Sequence, residues 1–280
     1  QTTLAAGKTL TVTSNGAIDN QNVMQGQAVN LSAGGQLTNS GQITTGSDAS
    51  TLSGNSIVLN SNSAIQGGGN VTLTSRDNIT ANGFVGTLGN LTLNASGAII
   101  NTALLYAANN LALYANSITN QRGDMLAGNN LSLQRDAAGN ANGEVINTSG
   151  NIETRNGDIT IKTGHLLNQR EGLSANSVTT TNTVMPGAGD PTIQLHYSQL
   201  PEGTYGYNTV EYTQDGPNCG NKNGGCSSWN VTSYSYAPFE DYPTYKIVLR
   251  ETRTDVSSSG GSARIVSGRN ISVAADLLDN

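Results

Sequence analysis

Few side chains in this 280-residue chain could do chemistry, and they fall into three groups. Cys219 and Cys226 have six residues between them in Cys-Gly-Asn-Lys-Asn-Gly-Gly-Cys, Lys222 among these. A disulfide at this spacing would close a small ring and stabilise the loop by roughly 2–3 kcal/mol; free thiols or a metal site are the alternatives. A metal needs more ligands than two thiolates, and His196 is the only histidine nearby. The disulfide reading requires an oxidising, extracytoplasmic location. The second group is acidic: Asp124, Asp136, Glu144, Glu153 and Asp158, mixed with Arg122, Arg135 and Arg155. Enzymes that cleave polysaccharides need paired carboxylates at a set separation. Here the acids are spread singly along the chain and read as solvated corner charge. His165 has no serine or cysteine nucleophile pattern beside it. The expectation is a chain with no catalytic residues, metal site or cofactor.

The third group is aromatic. Eight of the ten tyrosines and the single tryptophan fall between positions 197 and 245, and all six prolines between 186 and 243. Tyrosine and tryptophan combine a large rigid surface with a polar tip and so supply interface anchors. The candidates for contact with a partner are Tyr205, Tyr207, Tyr212, Trp229, Tyr234 and Tyr236, with Lys222 on the adjacent loop. Tyrosines that alternate along a strand cannot all be buried: Tyr205 and Tyr207 share one face and Tyr212 takes the other.

The elements that hold these residues follow from a repeat. One phrase, Gly or Asn, then Asn, then apolar–polar–apolar, begins its triplet at Val71, Leu91, Leu111 and Leu131, at intervals of 20. Looser copies start at Leu10, Val29, Ile57, Ile159 and Ile271. A second phrase, apolar–any–Asn, appears at Ile18–Asn20, Leu37–Asn39, Ile99–Asn101, Ile118–Asn120 and Leu166–Asn168. The period of two within each phrase makes strands rather than helices. Gly and Asn accept the positive φ that corners between short strands require. Twenty residues make about three strands and three corners, and such coils stack at ~4.8 Å with apolar ladders inside. The expected fold is all-β: a parallel β-helix, or solenoid, of ~20-residue coils, about ten in number, giving a rod of roughly 45–50 Å.

Residues 1–181 carry the repeat, 182–261 lack it and 262–280 resume it. The middle stretch reads as an inserted module rich in antiparallel β-hairpin. Its alternation predicts strands at 204–213, 229–236 and 245–254, with both cysteines at the tip of the first hairpin.

Charged residues make up 11% of the chain, and the net charge is −6. Thirty-five Asn and 34 Gly fill the difference. Thirteen scattered basic residues offer no stripe for phosphates, so no nucleic-acid partner is expected. No apolar run approaches the ~18 residues that span a bilayer. Gln1 opens within the repeat pattern, so any targeting segment is expected outside this stretch.

Leu-Ala-Gly-Asn-Asn-Leu-Ser-Leu (126–133) and Val-Ser-Gly-Arg-Asn-Ile-Ser-Val-Ala-Ala-Asp-Leu-Leu-Asp-Asn (266–280) resemble the repeats of filamentous haemagglutinins. The wider family includes the CdiA-type exoproteins of contact-dependent growth inhibition. The resemblance covers about 200 residues, all of it repeat. It implies a right-handed parallel β-helix on the surface of a Gram-negative bacterium, exported through an outer-membrane transporter by the two-partner route. In growth-inhibition members it further implies a receptor-binding region. That region grips a protein receptor on a neighbouring cell, an outer-membrane β-barrel, before toxin delivery. A host-cell adhesin segment and a plain structural shaft are the other readings.

Overall fold

The computed structural model describes residues 2–184, 208–215, 227–235 and 247–280. Every regular element among them is a β-strand. The chain divides into two units, residues 1–171 with 260–280, and residues 172–259.

The first unit is a parallel β-solenoid with three faces. Nine strands stack on the first face, from Thr3–Ala5 through Phe84–Thr87 to Arg264–Val266. The second and third faces merge into one 16-stranded sheet, because Ile159–Gln169 bends to pair with both Leu131–Gln134 and Asn142–Thr148. Nine coils make eight coil-to-coil steps, so the stack rises about 38 Å. The count falls short of ten because part of the stretch assigned to coils belongs to the second unit.

The 20-residue phrase marks the second face. Val71, Leu91, Leu111, Leu131, Ile159 and Ile271 stand in register, one above another. The interval stretches to 28 between Leu131 and Ile159, where Arg135–Asn140 loops out; the Arg135 N–H bonds back to the Asn140 carbonyl at 2.9 Å. Ile57 belongs elsewhere: it stacks between Leu37 and Ile79 on the third face, and Ser50 takes its expected place on the second. A three-residue strand with apolar residues at its first and third positions fits either face, and only the corners around it decide which. Ser50 is buried there, and its hydroxyl accepts the Val29 N–H at 3.0 Å.

The repeated asparagines do more than turn the chain. In the outer row, the Oδ1 of Asn70, Asn90 and Asn110 accepts the N–H of the matching Asn in the next coil at 2.9–3.1 Å. Asp158 replaces Asn in the same row and receives the Asn270 N–H. The inner row is buried. Asn101 Nδ2 donates to Asn120 Oδ1, Asn120 to Asn147 and Asn147 to Asn168, at 2.8–2.9 Å. Each amide thus satisfies its neighbours inside a low-dielectric core, where an unpaired polar group costs about 1–3 kcal/mol. Leu59 and Ala81 interrupt the column in adjacent coils, so this break falls between two segments of ladder, Asn20 with Asn39 on one side and Asn101 onward on the other. Asn120→Ala should therefore destabilise the solenoid by about 1–3 kcal/mol, because it removes the donor to the buried Asn147 Oδ1 and one of the acceptors of Asn101 Nδ2. A thermal melt unchanged by this substitution would show that the ladder contributes nothing.

The described residues of the second unit form a four-stranded antiparallel sheet in the order Ser174–Val184, Ile247–Ser257, Ser227–Ser235, Asn208–Asp215. The last two form the hairpin and Ile247–Ser257 is its third strand. Ser174–Val184 adds a fourth that takes in residues 174–181, which the sequence pattern assigned to the coils. Its Ser/Thr-rich sequence suits either sheet, and pairing with the eleven residues of Ile247–Ser257 draws it into this one.

Candidate functional site

The insertion leaves the solenoid at a corner between the third and first faces, and the preceding coils hold both chain ends there. Ser149 sits in the left-handed region, φ 50°. Its Oγ accepts the Glu171 N–H (2.8 Å) and donates to the Gly261 carbonyl (2.7 Å). Gly260 N–H bonds to the Glu171 carbonyl at 3.2 Å, Arg170 donates to the Ser262 hydroxyl at 3.1 Å, and Arg122 pairs with Glu171. A Cβ at position 260 would fall 2.3 Å from Ser149 Oγ, so the close approach requires glycine. The coil is thereby closed across the insertion by its own residues.

Within the module, cross-strand partners share a face of the sheet. The register places Val210 and Tyr212 on one face with Trp229, Val231 and Leu249; Tyr234 falls on the other with Thr209 and Thr232. The structure thus brings Tyr212 and Trp229 to the same side and separates Tyr234 from them. Tyr205, Tyr207, Tyr236, Lys222 and the Cys219–Cys226 pair lie outside the described residues.

The acidic residues do not converge. Asp124 and Glu153 lie on the first face, while Glu144 lies on the third and accepts the Ser117 hydroxyl at 2.9 Å. Asp136 organises its own loop: the Asn140 side chain donates to it at 2.8 Å, as do the Asn140 and Ala138 N–H groups. These bonds, the Asn140 side chain foremost, hold its carboxyl below the ordinary value. His165 contacts Asp279 at 2.9 Å, also on the third face. Among the described residues no group of three or more His, Cys, Asp or Glu could hold a metal ion. No helix among them is long and apolar enough to cross a membrane.

A three-faced solenoid with amide ladders, interrupted by an inserted antiparallel β-module, defines a β-solenoid repeat protein. Comparison with known proteins agrees. The haemagglutinin repeat model matches residues 1–41, 41–83, 87–156 and 147–184, and the chain belongs to that family. It is 50% identical over 281 residues to the tRNA nuclease CdiA of Escherichia coli O6:K15:H31 (strain 536 / UPEC), an alignment covering 99% of this chain and 9% of that protein. It is 46% identical to the tRNA nuclease CdiA of Escherichia coli (strain STEC_O31), covering 100% of this chain and 8% of that one. It is 37% identical to the deoxyribonuclease CdiA of Dickeya dadantii (strain 3937), covering 99% and 8%. The chain therefore spans under a tenth of the length of these relatives. No solved structure matches it. Its family is that of the secreted, cell-surface two-partner exoproteins of Gram-negative bacteria.

Proposed function

We propose that this stretch is the receptor-binding region of a CdiA-like exoprotein, presenting the 172–259 module from a solenoid shaft to a protein on a neighbouring bacterium. The observation that carries this reading is the segregation of eight tyrosines and the only tryptophan into the inserted stretch. A solenoid coil buries its own ladder and has no need of them. Tyr212 and Trp229, on one sheet face, are the proposed anchors, together with Tyr205, Tyr207, Tyr234, Tyr236 and Lys222. Truncating such an anchor typically costs on the order of 2 kcal/mol or more of binding. The partner is an outer-membrane β-barrel protein of the target cell, and an outer-membrane transporter handles the chain during export.

The chain itself performs no catalysis. Its relatives carry different nuclease names, for tRNA in one and for DNA in another, yet share this stretch at 37–50% identity. A difference in chemistry between them resides in the remaining nine-tenths of each. The test is capture: the purified chain should bind outer membranes from bacteria of the same group and fail to bind host-cell extracts. Binding to host-cell extracts alone would instead make it an adhesin segment, and binding to neither a plain shaft.

A further inference from the structure

The module's sheet ends at Ser174–Val184, and among the described residues this strand has one strand neighbour, Ile247–Ser257. Residues 174–180 are all exposed, with Val178 at 52%. The strand is eleven residues long and contains neither a charged residue nor a proline: Ser-Ala-Asn-Ser-Val-Thr-Thr-Thr-Asn-Thr-Val. Folded proteins usually blunt a long edge of this kind with charge, proline or a bulge, because its outer row of N–H and C=O groups is a template for another strand. The opposite edge, Asn208–Asp215, does carry charge, at Glu211 and Asp215.

The strand is uncharged on both sides of Thr179, with an asparagine three residues away in each direction. Antiparallel pairing of two such strands centred there sets Val178 opposite Thr180, Ser177 opposite Thr181 and Asn176 opposite Asn182. No like charges meet. On its inner side the strand already pairs by hydroxyl contacts of the same kind, Ser177 with Thr254 at 2.8 Å and Thr179 with Thr252 at 3.0 Å. We propose that Ser174–Val184 is a self-association edge. A second copy of this chain adds its own Ser174–Val184 strand in antiparallel, two-fold register, fusing two four-stranded sheets into one of eight.

Sedimentation equilibrium of the full 280-residue chain tests this. A reversible dimer is expected at roughly 10–100 µM, the affinity of a modest interface. Val178→Lys combined with Thr180→Lys sets lysine against lysine twice across the two-fold and should weaken the dimer at least about tenfold, leaving circular dichroism unchanged. Val178→Glu with Thr180→Glu should do the same, and mixing the two charged variants should restore a heterodimer. Where a double variant fails to fold, Thr180→Lys alone, opposite Val178, serves in its place. A chain that stays monomeric throughout, or a dimer that the charged variants leave intact, overturns the proposal. So do two folded charged variants that fail to pair when mixed.

Discussion

Removing Gly172–Ser259 and bridging Glu171 to Gly260 with one or two glycines should leave the solenoid folded and abolish attachment to target cells. The first half follows from the closed corner. The Ser149 hydroxyl holds Glu171 and Gly261, Gly260 bonds to Glu171, and Arg170 reaches Ser262, all without any residue of the module. The shortened corner then matches those of the preceding coils, where a few residues separate the third face from the first. The final coil still stacks, because Arg264–Val266 pairs with Asn151–Glu153 and Ile271 with Ile159. The second half follows from the proposed function: the deletion removes Trp229 and eight of the ten tyrosines. Thermal melting and cell-attachment assays on the same preparation decide both. A folded deletion that attaches at full strength would put the binding site on the coils. A deletion that does not fold would show that the module completes the coil.

Leu111→Asp should prevent soluble folding. Leu111 is 1% exposed and lies in register between Leu91 and Leu131. The substitution forfeits about 2–3 kcal/mol of apolar burial and leaves a carboxylate inside a ladder with no cation beside it, at several kcal/mol more. Against a typical total stability of about 5–15 kcal/mol, that loss is enough to unfold the central coils. A solenoid repeat leans on its neighbours, so the damage spreads to both sides. Thr92, half-buried at the outward position beside Leu91, is the control: Thr92→Ala should change stability by about 0.5 kcal/mol or less. Soluble yield and melting temperature separate the two. Equal effects would mean that the inward and outward faces are exchanged.

The coils were legible because in-register stacking makes the repeat visible. Each residue sits directly above its counterpart, so Val71, Leu91, Leu111 and Leu131 must be alike in type, and their spacing of 20 shows in the linear chain. The break in composition near residue 182 likewise revealed a module of different construction. What stayed hidden was the role of the second-phrase asparagines. Asn120 reads as a corner residue until its amide is seen buried between those of Asn101 and Asn147, 19 and 27 positions away. The site was legible only as a collection of aromatics. Tyr212 and Trp229 share a face because Tyr212 pairs with Val231, and that register is set across the hairpin, beyond what alternation within one strand can tell.

The sequence by itself determined which residues of the phrase face inward and how many form a coil, since both are matters of local periodicity. The tertiary structure decided which strand each segment joins. Ser174–Val184 is a Ser/Thr-rich stretch that carries no periodicity to assign it to either sheet, and Ile57 opens a triplet that either face could take. Alternation fixes the two sides of a strand but leaves its edges unspecified. The partner at an edge is chosen by hydrogen bonding to a segment far along the chain, such as Ile247–Ser257.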